Sequence, residues 1–502
     1  MHQEANPQPA ATDPVPVHRS GVYRRPDNSR VLLRPFLPGG DERAREIIGR
    51  ILANSKMGMA RGLRNVIKRF SHTHADIDSL FSKRCADLQH LLPRGTELTP
   101  TQSLLIGAYF TSEFSLQSAA LFNPSIVPHP NQDGVPPGAL RFVMSLRATG
   151  EGHISSIEFR GGLISAEGEL DFDPVSPWVT TPEIQYPRQR RADLVATLLD
   201  LEFDSHFVDA AFSSLDEEFE MGDLVEILRH PEHWGCPVDK SPFECEHERK
   251  AVKEAILWAV QGDYLVEFSS SLALSERVIF PASPSERSGI EDARFVRFFD
   301  DDGRSRYYAT YTASDGKSIM PQLIETEDFL NFRLRPLHGP VARNKGMALF
   351  PRKIDGKYAM LGRQGGVNLS IMFSDDVLYW SEHETLLKPR ETWEYVQIGN
   401  CGSPIETKAG WLVLTHGVGA VRNYSIGAVL LDIDDPRKVI GRLREPLLEP
   451  LEHERDGYVP NVVYSCGSLI HNGWLVLPYA VSDHATTSAL VRLDELLARL
   501  TS

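Results

Sequence analysis

The strings GWLVLTHGV at 410–418 and GWLVLPYAV at 473–481 decide the fold. Each opens on a turn glycine and continues as a short apolar run rich in β-branched and aromatic residues, the composition of a buried strand. Weaker copies precede them: GALRFVMSLRA from Gly138, GRSRYYATYTA from Gly303 and GKYAMLGR from Gly356. The last four start about 50 to 60 residues apart, close to the length of one four-stranded propeller blade. Five copies predict a mainly β chain built as a five-bladed β-propeller. Read singly, the strings would also suit the hairpins of a β-sandwich; the even spacing favours blades.

The gap between the first two copies is far longer than the rest. It holds RRADLVATLLDLEFDSHFVDAAF and LDEEFEMGDLVEILRH, which predict a helical insertion at about 188–258. Ahead of the first copy, Ile47, Ile48, Ile51 and Leu52, then Leu63, Val66, Ile67 and Phe70, fall at helical spacing. Thr99-Pro100 is an N-cap residue followed by proline at the first helical position, and it predicts a long buried helix ending near Leu121. Residues 1–18, rich in Pro, Ala, Gln and Asn, read as a flexible tail. The expected organisation is tail 1–18, helical extension 19–118 and propeller catalytic domain 119–502.

The 502 residues carry 53 Lys+Arg against 68 Asp+Glu, a net charge of −15. An acidic chain without a basic block argues against nucleic acid or an anionic membrane as partner. Five irregularly spaced cysteines fit free thiols in a reducing compartment, with no disulfide framework. The N-terminus lacks the pattern of a signal peptide and no run of about 18 apolar residues follows, so the expected location is the cytoplasm. His233, Cys236, Cys245 and His247 form H-x2-C-x8-C-x-H, which matches no common zinc site and reads as a surface loop with incidental cysteines. Cys401 and Cys466 read as buried packing, Trp411 and Trp474 as blade core, and Asp432-Ile433-Asp434-Asp435 as a turn.

The repeated strands end on Arg147, Tyr311, Arg363, His416 and Tyr479. Inner propeller strands converge on a channel, so these groups are expected to meet in one pocket suited to an anion. The most distinctive string is Arg287-Ser288-Gly289-Ile290-Glu291-Asp292-Ala293-Arg294. Side chains alternate along a strand, so Glu291 and Asp292 reach the same site only across a bulge; otherwise one is structural, for instance paired with Arg294.

SERVIFPASPSERSGIEDARFVRF followed by YYATYTA resembles glycoside hydrolase family 130, the β-mannoside phosphorylases and related inverting β-mannosidases. The resemblance runs from about Asn123 to the C-terminus, apart from the insertion, and implies a five-bladed propeller. It implies Asp292 as general acid, acting through a hydroxyl of the bound mannose. It implies sugar contacts from Asn123, Arg147, Asn344 and Asp483, and phosphate contacts from Arg343, Arg363 and His416, with Tyr424 lining the same pocket. One family lysine on the phosphate side is replaced here by Gln397. The implied activity is that of a phosphorylase of the glycosyltransferase type. It would cleave a β-linked manno-oligosaccharide or mannosyl-glycoside reversibly and with inversion, releasing α-mannose 1-phosphate, with inorganic phosphate as co-substrate and no cofactor or metal.

The residue types fit that chemistry. Inverting cleavage needs an acid on the leaving oxygen and a nucleophile from the opposite face. Water in that role requires a second carboxylate, for which Glu406 and Glu445 are the candidates, whereas phosphate requires cationic and hydrogen-bonding groups to hold it in line. Two arginines favour phosphate. The rival readings are an inverting β-mannosidase on the same scaffold and a non-catalytic sugar-binding propeller. The helical additions would close the pocket or build a homo-oligomer.

Overall fold

The computed structural model describes residues 14–200 and 203–501. The chain is mainly β. In order, the strands form five antiparallel groups, and each quoted glycine-led string supplies a central strand of its group. The first group comprises Ala120–Pro128, Leu140–Thr149, Ser155–Ile164 and Leu170–Phe172. The second comprises Gly289–Phe299, Ser305–Ser314, Ile319–Thr326 and Asn331–Pro336. The third runs from Ala348–Leu349 to Glu384–Leu387, the fourth from Gln397–Asn400 to Val439–Arg442, and the fifth from Val463–Tyr464 to Ala485–Arg492. A parallel contact of Gly289 with Ser155 joins the first two groups into one sheet.

Between those groups lie the helices Arg191–Asp200, Ser205–Phe212, Met221–Leu228 and Pro242–Gly262. They have their own core, including Leu198, Phe207, Leu224, Trp234, Ile256 and Val260. The insertion is tied to the outer edge of the second group, where Tyr264–Glu267 pairs with Asn331–Pro336. Cys236 and Cys245 form a disulfide within it. That corrects the expectation of five free thiols and removes both sulfurs as thiolate ligands; the spacing of nine residues gave no sign that the helix start folds back onto this loop. Cys401 and Cys466 are buried, and burial pushes the Cys401 thiol up to about 12, as packing residues require.

The N-terminal region departs from expectation in two places. Val17–Arg19 is a strand paired with Ala485–Arg492, Val17 opposite Val491, so the end of the expected tail completes the last sheet; residues 1–13 lie outside the described residues. The helix after Thr99 is Pro100–Tyr109, not a run to Leu121. Its start is as read, with Thr99 and Gln102 forming a capping box. Its end comes where the Thr111 hydroxyl donates to the Gly107 carbonyl at 2.8 Å and the chain turns into Thr111–Ser115, paired with Val31–Pro35. The apolar residues beyond Tyr109 fit either period, and pairing partners decided between them.

One buried ion cluster fastens this extension to the first sheet. Arg30, 2% exposed, donates to Glu158 at 3.0 Å and to the carbonyls of Ser176 and Ser275 at 2.7 and 2.6 Å. Glu158 also accepts from Arg160 and from Gln117. Burial alone would raise the Glu158 pKa, but Arg160 and Arg30 hold it below the usual carboxylate range. Arg30→Ala should cost about 3–5 kcal/mol, because it leaves buried acceptors unpaired. The shift of the urea unfolding midpoint measures this, and a change within about 0.5 kcal/mol, the ordinary range for a surface substitution, would contradict it.

Candidate active site

Two bulges build the site. In the first group Asn123 and Pro124 together stand opposite Leu146, and in the second Asp292 and Ala293 stand opposite Tyr311. Asn123 and Asp292 take left-handed backbones, with φ of 50° and 58°, which Asn and Asp tolerate better than other side-chain-bearing residues. The Asn123 amide donates to Asp292 Oδ1 at 2.7 Å. The bulge also brings Glu291 and Asp292 to the same cation: Arg147 donates to Glu291 at 2.9 Å, to Asp292 at 3.4 Å and to the Ser155 hydroxyl at 3.0 Å. Lys345 holds the other oxygen of Glu291 at 2.5 Å. Both carboxylates therefore face the site. Arg294 pairs with neither; it donates to the Asp292 carbonyl at 3.0 Å and the Tyr464 hydroxyl at 2.8 Å.

From Asp292 a continuous chain of contacts leads to the second half of the site. Tyr464 lies edge-on to His416 with ring centroids 5.0 Å apart, and Tyr424 stacks parallel to His416 at 6.0 Å. Arg363 donates to His416 Nε2 at 3.2 Å. A guanidinium cannot accept, so Nε2 is the acceptor and the ring is neutral. Burial and the charges of Arg363 and Arg294 hold the His416 pKa well below its ordinary value, in agreement.

Asn344, at φ 68°, accepts from the Lys345 backbone N–H at 2.9 Å and lies beside Gly366, three residues past Arg363. Asp483, also left-handed at φ 48°, sits in the turn between the last two strands. Burial and the neighbouring Asp292 push its carboxyl up to about 6. Asp292 moves the other way: burial raises it, but Arg147, Arg294, the Asn123 amide and Lys345 together bring it below the ordinary value. Among the described residues, five buried polar atoms of this centre have no partner: Asn123 Oδ1, Asn400 Oδ1, Arg294 Nε, Arg363 Nε and His416 Nδ1. Two acceptors, two cationic donors and a ring N–H left open are what a hydroxylated, anionic ligand pair would use.

Not every expected residue joins the cluster. Arg343 is exposed, and its side chain makes no hydrogen bond or ion pair among the described residues. Tyr311 and Tyr479 do not line the pocket. Both are fully buried, their hydroxyls donating to Glu286 and Glu454. Each is one residue out of register: Tyr311 aligns with Leu146 rather than Arg147, and Tyr479 with Thr415 rather than His416, so each points to the other face. Glu406 is held by both branches of Arg352, at 2.9 and 3.1 Å, and shares no contact with Asp292. Glu445 is exposed. Lys345, Tyr464 and Asn400 were not foreseen, although each adjoins a quoted residue or motif.

Comparisons with known proteins show the family. The family model described as beta-1,4-mannooligosaccharide phosphorylase, glycoside hydrolase family 130, matches residues 260–501. A 1,2-beta-oligomannan phosphorylase of Thermoanaerobacter sp. strain X514 is 37% identical over 234 residues, covering 45% of this chain and 75% of the relative. A beta-1,2-mannobiose phosphorylase of Listeria innocua is 32% identical over 231 residues, 44% of this chain and 63% of the relative. Among solved structures, beta-1,2-mannobiose phosphorylase from Listeria innocua superposes with a TM-score of 0.45 at 22% identity, covering 77% of this chain and 93% of that one. The chain belongs to glycoside hydrolase family 130.

The raised Asp483 carboxyl has a consequence for stability. A folded-state pKa above the unfolded value contributes stability that is complete below about 3.8 and is lost as pH rises through about 6. Asp483→Asn should therefore gain stability relative to the wild type between pH 4 and pH 7. Paired urea titrations across that range measure it; a difference that does not change with pH would contradict the assignment.

Proposed function

We propose that the protein is a β-mannoside phosphorylase that cleaves β-linked manno-oligosaccharides or mannosyl-glycosides with inversion, yielding α-mannose 1-phosphate, and that also runs in synthesis. In this reading the five strand groups are the blades of one five-bladed propeller, and the site lies where their inner strands converge. Asn123, Arg147, Asn344 and Asp483 hold the sugar. Arg363, His416 and Tyr424 hold phosphate, with Arg343 reaching the anion only by turning inward from solvent.

The observation that carries the reading is the Arg363–His416 pair, joined to Asp292 through Tyr464 and Arg294. It offers an open cationic donor and no carboxylate. Phosphate is already a nucleophile at neutral pH and needs orientation, not a base. Hydrolysis would need a carboxylate on that side, and neither Glu406 nor Glu445 supplies one. The single feature on the side of hydrolysis is Gln397, which leaves the anion one cation short.

Asp292 must deliver a proton although its surroundings favour the carboxylate. Substrate resolves this: sugar hydroxyls entering the site take over the donors that now stabilise the charge, and a hydroxyl between Asp292 and the leaving oxygen passes the proton on. Asp483 is raised to about 6 by burial and by the Asp292 charge, so below that pH it is the carboxyl of the free site that carries a proton.

Cleavage of β-linked mannobiose should be about 100-fold faster or more with phosphate present than without it. Asp292→Asn should lower kcat by about 10²- to 10⁴-fold, and Arg363→Gln should raise the KM for phosphate about tenfold while leaving that for mannobiose within about twofold. Equal rates in phosphate-free buffer would replace the phosphorylase reading with hydrolysis. No turnover in either buffer would favour the binding module.

A further inference from the structure

A cavity of about 340 Å³ lies where the N-terminal extension and the end of the last insertion helix meet the loop 280–287 that leads into the Asp292 strand. Its lining includes Arg34 from the extension, Gln261 from the last insertion helix, Ile154, Phe280, Ser283 and Arg287. We propose that this cavity is an oxyanion site, taking a carboxylate or phosphate group carried on the distal sugar units of the glycan or on a free small anion.

The Arg34 guanidinium is half-buried and lies over Phe114 and Phe280, 5.0 and 4.7 Å from two ring centroids that pack edge-on against each other. The rings supply cation–π attraction but accept none of its five N–H groups. Among the described residues no carboxylate or carbonyl accepts from Arg34, Arg287 or Gln261, although the chain carries 68 acidic residues. Glu151 acts on Arg34 and Arg287 acts on Asp315 only through space. Glu286, next to Arg287, is turned into the core, where Tyr264, Tyr311 and the N–H groups of Ala282 and Ser283 occupy its oxygens. Two guanidiniums sharing one cavity repel each other, and an anion between them relieves that repulsion and meets the planar donors of both.

Its position gives the site a use. Ile154 adjoins Ser155, whose hydroxyl accepts from Arg147. Arg287 precedes Glu291 by four residues, in the turn that leads into the strand Gly289–Phe299. A glycan leaving the cleft along this edge would meet Arg34 and Arg287 beyond its first units. That use rests on the function proposed above; anion binding does not. It also gives the extension and the insertion a shared role, since each contributes a wall.

Calorimetric titration with inorganic phosphate tests the proposal in the intact chain. The wild type should bind two phosphates, Arg363→Gln should lose one, and Arg34→Gln/Arg287→Gln should lose the other while cleaving uncharged mannobiose within about twofold of the wild-type rate. Loss at Arg363→Gln alone would overturn this inference and leave the function standing; loss at the double variant alone would do the reverse. Titration with glucuronic acid and mannose 6-phosphate separates the sources. Binding about tenfold tighter than phosphate, abolished in the double variant, indicates a glycan-borne group, and affinity equal to that of phosphate indicates a free anion. Arg287→Gln alone, at an exposed position, repeats the measurement if the double variant does not fold. Binding of all three probes unchanged by these substitutions would refute the site.

Discussion

The hydrogen bond from Asn123 to Asp292 joins two bulges, and the arrangement of the site follows from it. In an unbroken strand Glu291 and Asp292 would face opposite sides, and one would be lost to the core. The extra residue turns both toward Arg147, whose two terminal nitrogens bind the first strand group to the second while its Nε holds Ser155. Left-handed backbone at a side-chain-bearing residue costs roughly 1–2 kcal/mol. The ion pairs and the amide contact offset that cost only while the two strand groups stay in register. Gly289, at φ 126°, sets the register: a Cβ there would lie 2.6 Å from the Ser155 nitrogen, so no other residue permits this approach. This half of the site is thus a property of the seam between two strand groups rather than of either one.

Electrostatics at the seam are locally opposite to those of the whole chain. The net charge is −15, yet Arg147, Arg294, Lys345 and Arg363 crowd one small volume. Their field favours ionised Asp292 and neutral His416, while burial and the Asp292 charge push the Asp483 carboxyl up to about 6. Each of these states suits the free protein and must change when a sugar and an anion enter. The proposed chemistry therefore depends on substrate binding to redistribute protons, not on groups already poised for transfer.

Much of this was legible in the sequence, and the failures share causes. The repeated strings GWLVLTHGV and GWLVLPYAV located the strand groups because glycine-led apolar strands carry a strong local signal. Asn123, Arg147, Asp292, Arg363 and His416 were legible through the motifs around them. Tyr311 and Tyr479 were misplaced because aligning strands by their ends ignores a one-residue register, and only the pairing partner reveals it. Lys345 and Tyr464 were missed because their roles come from contacts with distant segments, Glu291 and Arg294, that no local pattern encodes. The helix after Thr99 was drawn too long for the same reason, since Val31–Pro35 competes for Thr111–Ser115. The Cys236–Cys245 bond was hidden by a spacing that has no framework meaning on its own.

The central claim is that Asp292 and the Arg363–His416 pair act on opposite faces of one glycosidic bond. Proton NMR of the first product formed from β-linked mannobiose in phosphate buffer tests it most directly. The account predicts α-mannose 1-phosphate, appearing before any free mannose in excess of the leaving unit. A first product in the β configuration, or free mannose from both sugar units with no phosphate ester, would contradict it.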